Sequence, residues 1–191
     1  MKFYRWSSLH ENGFCVVKDP NIDDWELDDG ISQINKHPDD AYCRMSPNFP
    51  DEIRLGDNLY GSGLTIISLS IKETLERLIT SNHVEYLPLS IINHKGRLAT
   101  KDYFILHPLD FCDCIDYDKS GIEWNSIDPS YISFSKGLIL RNEIIPDDFI
   151  LFRLKHWGSN IILRGDLAEM LLKENFTGLW FPDIEGYTGI G

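Results

Sequence analysis

The sequence has little of what nucleic-acid-binding, secreted or membrane proteins need. Its 18 lysines and arginines stand against 30 aspartates and glutamates, so the formal net charge is −12. Such a charge repels nucleic acid and anionic membrane surfaces. No apolar run approaches the ~18 residues of a membrane-spanning helix, and the first residues lack the pattern of a signal peptide. We therefore expect a cytoplasmic protein that binds neither nucleic acid nor membrane.

Cysteine is also scarce, and its placement excludes two kinds of site. Cys15, Cys43, Cys112 and Cys114 do not have the spacing of a disulfide scaffold. A structural zinc site needs four ligands in closely spaced pairs, and the Cys112–Cys114 pair has no partner pair. We expect four reduced, buried thiols and no metal.

The sequence motifs of common enzyme classes are missing too. There is no G-x-S-x-G elbow, no H-E-x-x-H, no G-x-x-x-x-G-K loop and no G-x-G-x-x-G. The sequence thus predicts no catalytic residue and no cofactor. One alternative stays open: a small enzyme with a pocket at the bend of residues 110–120. It would use Cys112 or an aspartate as nucleophile or base, beside His107 or His156.

This bend also resembles the first half of a calcium loop. Asp116, Asp118, Ser120 and Gly121 match its early positions, but Ile127 stands where the bidentate ligand belongs and has no oxygen to offer. We therefore interpret Asp116 and Ser120 as a structural turn in which both side chains bind backbone amides.

What the sequence does contain is a core-forming pattern, with 42% hydrophobic residues. Ser70 and Glu73 form a capping box that predicts a helix over residues 71–80, and Asp166 begins a second helix three residues before Glu169. A nearly apolar run at residues 148–154 predicts a central strand. We expect one α+β domain over residues 1–191, with a loop-rich part at 1–60 and a core at 61–182. The predicted core is a single mixed, mostly antiparallel sheet with two packed helices.

The N-terminal part carries an acidic segment around a tryptophan. Residues 19–29 contain six acids and no base. Carboxylates speed the encounter with a basic partner, and an exposed tryptophan is a frequent anchor of an interface. A solvated loop with a docked tryptophan is the alternative. The predicted contact residues are Asp23, Asp24, Trp25, Glu26, Asp28 and Asp29.

The order and spacing of several short motifs resemble a family of bacterial immunity proteins. That family was first described as a domain of unknown function, and its named member is myxobacterial. The resemblance covers about residues 61–182, and the N-terminal third matches loosely. The motifs are EYLP at 85–88, YFILHPLD at 103–110, CIDYDKS at 114–120, DFILFR at 148–153, NIIL at 160–163 and FTGLWFP at 176–182.

The resemblance implies an antitoxin of a polymorphic or contact-delivered toxin, such as one delivered by type VI secretion. Such a protein acts in the cytoplasm by binding its cognate toxin, which we expect to have a basic surface. The family brings no catalytic residues to transfer. A toxin-loading adaptor is a further alternative, and the sequence leaves the oligomeric state open.

Overall fold

The computed structural model describes residues 1–22, 25–79 and 83–189, with the backbone alone at residues 25 and 26. Within these ranges it has three α-helices, two 3-10 helices and fourteen β-strands. The α-helices are α1 (Leu69–Leu78), α2 (Tyr117–Ser120) and α3 (Gly165–Lys173), and the 3-10 helices are Trp25–Asp29 and Asn142–Ile144. The strands are β1 (Phe3–Arg5), β2 (Ser7–Ser8), β3 (Val17–Lys18), β4 (Tyr42–Met45), β5 (Asn58–Leu59), β6 (Ile66–Ser68), β7 (Val84–Ile92), β8 (Leu98–Pro108), β9 (Phe111–Cys112), β10 (Glu123–Trp124), β11 (Ile132–Phe134), β12 (Leu151–Leu154), β13 (Trp157–Arg164) and β14 (Leu179–Trp180).

The largest sheet has six strands in the order β3-β4-β7-β8-β6-β5. The long antiparallel hairpin of β7 and β8 forms its centre, and β4 pairs with β7 in parallel. Its two edges meet, because the backbone N–H of Val17 donates a hydrogen bond to the carbonyl oxygen of Tyr60 at 2.8 Å. The sheet is therefore nearly closed, like a barrel, and encloses Leu87, Leu89 and Ile105 in its core.

A second sheet has four strands in the order β1-β13-β12-β9. Both of its faces are buried, since Leu151 and Ile161 pack on one side while Phe152 and Ile162 pack on the other. This burial explains why apolar residues are consecutive in these strands, as Leu151 and Phe152 are in β12 and Ile161 and Ile162 in β13, instead of alternating. Two small sheets, β10 with β11 and β14 with β2, complete the strand pairing.

The two longer helices each bury one side in a cluster that also contains residues of both large sheets. α1 follows β6 directly, and the Ser68 side chain accepts a hydrogen bond from the backbone N–H of Ile71 at 3.4 Å. Ile71 and Leu75 on α1 share one buried cluster with Leu167 and Leu171 on α3. Burying each such side chain contributes roughly 1.5–3 kcal/mol, so this helix layer holds the two sheets together.

The prediction of a single sheet with two helices and a loop-rich N-terminal segment is wrong. The strands divide among four sheets, and a third, one-turn helix, α2, lies in the acidic bend. The N-terminal part supplies five strands, β1 to β5, of which three belong to the six-stranded sheet. Strands of two to four residues are too short to show alternation, and their pairing depends on partners far along the chain.

The helix starts also differ from the prediction. α1 begins at Leu69 with Ser68 as its N-cap, not at Ser70. Asp166 lies inside α3, where its carboxylate accepts hydrogen bonds from Arg164 at 2.8 Å instead of capping the helix. In both cases the strand passes directly into the helix, so the last strand residue takes the capping position.

Candidate partner-binding surface

Residues 28–33, here called the strap, run from the four-stranded sheet to the six-stranded sheet. At one end a Cβ on Gly158 would lie 2.0 Å from the carbonyl oxygen of Asp28, so only glycine allows this approach. At the other end the Glu85 carboxylate on β7 accepts a hydrogen bond from the backbone N–H of Gln33 at 2.8 Å. Ser32 also donates to Glu85. The strap thus connects β13 with β7.

Arg153 is the buried cation that fixes the strap to the sheets. Its Nε donates to the carbonyl oxygen of Pro108 at 3.1 Å, and its Nη1 donates to the carbonyl oxygen of Gly158. The same Nη1 lies 3.4 Å from a carboxylate oxygen of Asp28. Burial lowers the pKa of Arg153 to about 10, while Asp28 acts in the opposite direction. At neutral pH the guanidinium stays charged and holds three parts of the chain together.

His107 extends this network to the middle of the strap. Nη2 of Arg153 donates to Nδ1 of His107 at 3.4 Å, and Nε2 of His107 bonds the carbonyl oxygen of Ile31 at 3.0 Å. Because Nδ1 accepts, Nε2 carries the proton and the ring is neutral. Burial lowers the pKa of His107, and the positive charge of Arg153 lowers it further, whereas the Ile31 hydrogen bond and Glu85 raise it.

The structure places the predicted acidic segment at the start of this strap. Asp23 and Asp24 lie outside the described residues, as do the side chains of Trp25 and Glu26, whose backbone belongs to the 3-10 helix Trp25–Asp29. Asp28 is paired with Arg153, so it anchors the segment to the body of the protein. Asp29 is exposed and accepts a hydrogen bond from the hydroxyl of Tyr131 at 2.8 Å.

That hydrogen bond joins the acidic segment to the loop between β10 and β11, which the sequence does not reveal as a surface. Residues 125–131, here called the hairpin loop, connect β10 to β11. The loop exposes Ile127 and Tyr131, and Trp124 at the end of β10 is a third exposed apolar side chain. Ile127 is 94% exposed, Trp124 44% and Tyr131 38%. Exposed apolar side chains beside acids are a signal for a contact surface, but sequence alone does not reveal which apolar side chains stay exposed.

The two cysteines of the bend at residues 110–120 lack the surroundings that activate a thiol. Cys112 and Cys114 are buried, and burial raises the pKa of both thiols, which disfavours the reactive thiolate. His107 bonds Ile31 and Arg153, and Nδ1 of His156 donates to the Ser130 carbonyl oxygen at 2.8 Å. Within residues 1–22, 25–79 and 83–189, neither histidine hydrogen-bonds a cysteine thiol.

Asp116 and Ser120 make backbone hydrogen bonds in the same bend. The Asp116 carboxylate accepts from the backbone N–H of Lys119 at 3.1 Å and caps α2. It also pairs with the ammonium of Lys119 at 2.9 Å, which lowers the pKa of Asp116. The hydroxyl of Ser120 is buried and accepts from the backbone N–H of Ile139 at 3.0 Å.

A second exposed aromatic surface lies at the other small sheet, that of β2 and β14. An open groove of about 530 Å³ is lined there by Leu9, Tyr60, Trp180 and Arg5, among others. Trp180 is 45% exposed, close to the value for Trp124. The groove gives a second surface against which contacts at the hairpin loop can be compared.

The described part of the chain offers neither a metal site nor a membrane-spanning helix. No group of three or more histidine, cysteine, aspartate or glutamate side chains there could hold a metal ion. None of the helices described is both long enough and apolar enough to cross a membrane.

Comparison with known proteins supplies the family. A model of the Immunity protein family (Imm11) matches residues 11–186 of the 191. The match includes most of the N-terminal part, with the strap and the acidic segment, as well as the region of residues 61–182. A comparison with curated proteins found no match. Because the family model covers far more than half of the sequence, the chain belongs to the immunity protein family Imm11.

Proposed function

We propose that this protein binds a cognate bacterial toxin and neutralises it by covering the toxin's active site, without catalysing a reaction itself. Membership of an immunity protein family, over residues 11–186, is the observation that carries the proposal. The buried thiols of the bend and the fully engaged His107 agree with a binding role. The protein would act in the cytoplasm of the cell that makes the toxin.

We assign part of the contact surface to the acidic segment. The formal net charge of −12 favours a partner with a basic surface, and long-range attraction between opposite charges raises the rate of encounter. Asp28 has a different role from the others, because its ion pair with Arg153 fixes the segment to the sheets. The proposed contact residues are Asp23, Asp24, Trp25, Glu26 and Asp29, with Asp28 as their anchor.

A growth experiment tests the proposal. A toxin domain is sought among the genes that neighbour this one, and it is expressed alone and together with this protein. We expect growth arrest by the toxin alone and full growth on co-expression, with the two proteins recovered as a complex. A complex that leaves the toxin active would instead indicate an adaptor and contradict neutralisation. Growth arrest on co-expression, with no complex recovered, would show that this toxin is not the partner.

A further inference from the structure

The hairpin loop exposes an apolar side chain at its tip. With 94% of its surface exposed, Ile127 gains almost nothing from the fold. Trp124 and Tyr131 flank it in sequence and are also partly exposed. Three large apolar side chains within eight residues are typical of an interaction surface rather than of a solvated loop.

The loop is held in shape by its own polar side chains. The Asn125 side-chain oxygen accepts from the backbone N–H groups of Ile127 at 2.8 Å and Asp128 at 3.0 Å. The Asp128 carboxylate accepts from the backbone N–H of Ser130 at 2.9 Å and from its hydroxyl at 2.6 Å. The backbone N–H of Asn125 donates to the carbonyl oxygen of Tyr131 at 2.8 Å. Ile127 is therefore presented in one conformation, which lowers the entropy cost of inserting it into a partner.

The base of the loop is fixed to the body of the protein. The Trp124 ring packs on Tyr117 and His156, with ring centroids 5.6 Å and 5.5 Å away. The ring of His156 bonds the Ser130 carbonyl oxygen at 2.8 Å, and its own carbonyl oxygen accepts from the backbone N–H of Ile132 at 2.8 Å. These contacts fix the base of the loop, and with it the position of Ile127.

Two carboxylates, those of Asp29 and Asp128, lie beside this apolar tip. Tyr131 donates to Asp29, and the pKa of its phenol is raised first by that hydrogen bond, then by burial and by the charges of Asp29, Asp128 and Asp28. In the part of the chain that the structure describes, neither Asp29 nor Asp128 forms an ion pair with a lysine, arginine or histidine. Their charges are left for a partner to neutralise.

From this arrangement we infer that the hairpin loop inserts Ile127 into an apolar pocket of the cognate toxin, and that basic residues line the rim of that pocket. Trp124 and Tyr131 cover the pocket's edge, while Asp29 and Asp128 pair with the basic rim. The inference rests on the proposed function, and it adds a specific anchor that lies beside the acidic segment.

Substitution of Ile127 gives a direct test, because its side chain supports almost none of the fold. Binding of a catalytically inactivated form of the toxin domain from the growth experiment is measured by titration calorimetry for Ile127→Ala, Ile127→Asp and Trp124→Ala. We expect Ile127→Ala and Trp124→Ala each to weaken binding at least about tenfold, and Ile127→Asp to weaken it more. Ile127→Val, which removes one methylene, should weaken binding about fourfold, less than Ile127→Ala does.

Matched controls separate this surface from the rest of the protein. Ile53→Ala removes an isoleucine that is 62% exposed, and Trp180→Ala removes the tryptophan of the groove. Both controls should bind like the unmodified protein, and thermal unfolding should show that Ile127→Ala is as stable as the unmodified protein.

If Ile127→Ala binds as tightly as Ile53→Ala, the inference is wrong while the proposed function stands. If Trp180→Ala alone weakens binding, the groove is the interface. If the unmodified protein does not bind the toxin domain, the proposed function fails and the inference fails with it.

Discussion

Arg153 donates a hydrogen bond to His107 across 3.4 Å, in the interior between the two large sheets. Arg153 lies on β12 of one sheet and His107 on β8 of the other, and through His107 the network reaches the strap at Ile31. The two polar residues therefore determine where the acidic segment lies relative to the hairpin loop. The surface that we assign to the toxin depends on a buried contact that no toxin would touch.

Replacing Arg153 should destabilise the protein. Arg153→Met removes a hydrogen-bond donor from the carbonyl oxygens of Pro108 and Gly158 and from the carboxylate of Asp28. We expect the free energy of unfolding, measured by urea titration, to fall by about 2–4 kcal/mol. Arg164→Met is the control, since the ion pair of Arg164 with Asp166 lies near the surface and should contribute no more than about 1 kcal/mol. Equal losses in the two variants would refute the structural role of Arg153.

Acid should weaken the same contact through His107. Its folded-state pKa is lowered, mainly by burial, whereas in the unfolded chain it titrates near 6.5. As the pH falls below about 6.5, His107 of the unfolded chain takes up a proton before His107 of the folded protein does. The free energy of unfolding that is present at pH 7 therefore decreases until the pH reaches the lower pKa of the folded state. We expect the free energy of unfolding to fall between pH 7 and pH 5, and to fall less in His107→Gln. A parallel decrease in both proteins would show that other groups cause it.

The strap should tolerate no side chain at Gly30. Its φ is +63°, and an added Cβ would lie 2.1 Å from the ring of Phe111. Gly96 is a matched control, because its φ is +71° but nothing lies within 4 Å of an added Cβ. Both alanine substitutions therefore share the backbone strain, and only Gly30→Ala adds a clash. We expect Gly30→Ala to cost about 1–3 kcal/mol more than Gly96→Ala in urea unfolding. Similar costs would mean that the strap can move away from Phe111.

Charge reversal tests the acidic segment. The variant carries Asp23→Lys, Asp24→Lys and Glu26→Lys, and it spares Asp28, which pairs with Arg153. A control variant reverses Glu73, Glu169 and Glu174, which are exposed on or beside α1 and α3. Each set replaces three acids with lysines, so each changes the formal net charge by +6, from −12 to −6.

We expect the first variant to bind the toxin domain at least about tenfold more weakly, with a shallower dependence on salt, because its lysines face basic residues of the toxin. The control should retain most of the affinity, since it alters only the net charge. Identical affinity and salt dependence in the two variants would remove the acidic segment from the contact surface.

The sequence predicts the elements that local pattern determines. α1 and α3 follow from apolar side chains at helical spacing, and β12 and the second half of β13 follow from runs that are mostly apolar. Local pattern does not determine which strands pair. The two-residue strands β3 and β5 form the meeting edges of the six-stranded sheet only because Val17 reaches Tyr60, more than forty positions away in sequence.

The sequence indicates the acidic segment of the candidate surface but not the hairpin loop, because the exposure of a side chain also depends on distant contacts. The acids around Trp25 are conspicuous as a run, and they indicate a contact surface by charge. In the sequence, Ile127 stands out only because it offers no oxygen ligand where a calcium loop would need one. Its exposure is not visible there, because it depends on the hydrogen bonds of Asn125 and on the docking of Trp124. Arg153 is hidden for the opposite reason. It is a charged residue in an apolar strand, and its partners come from distant segments.

Titration of toxin activity with purified protein tests the central claim most directly. The toxin domain is mixed with increasing amounts of this protein, its activity is measured, and the toxin is then recovered and its mass determined. Neutralisation by occlusion predicts complete loss of activity at an equimolar ratio, and full activity of the recovered, unmodified toxin. Inactivation by a small fraction of an equivalent, or a toxin of altered mass, would contradict the account and indicate an enzyme.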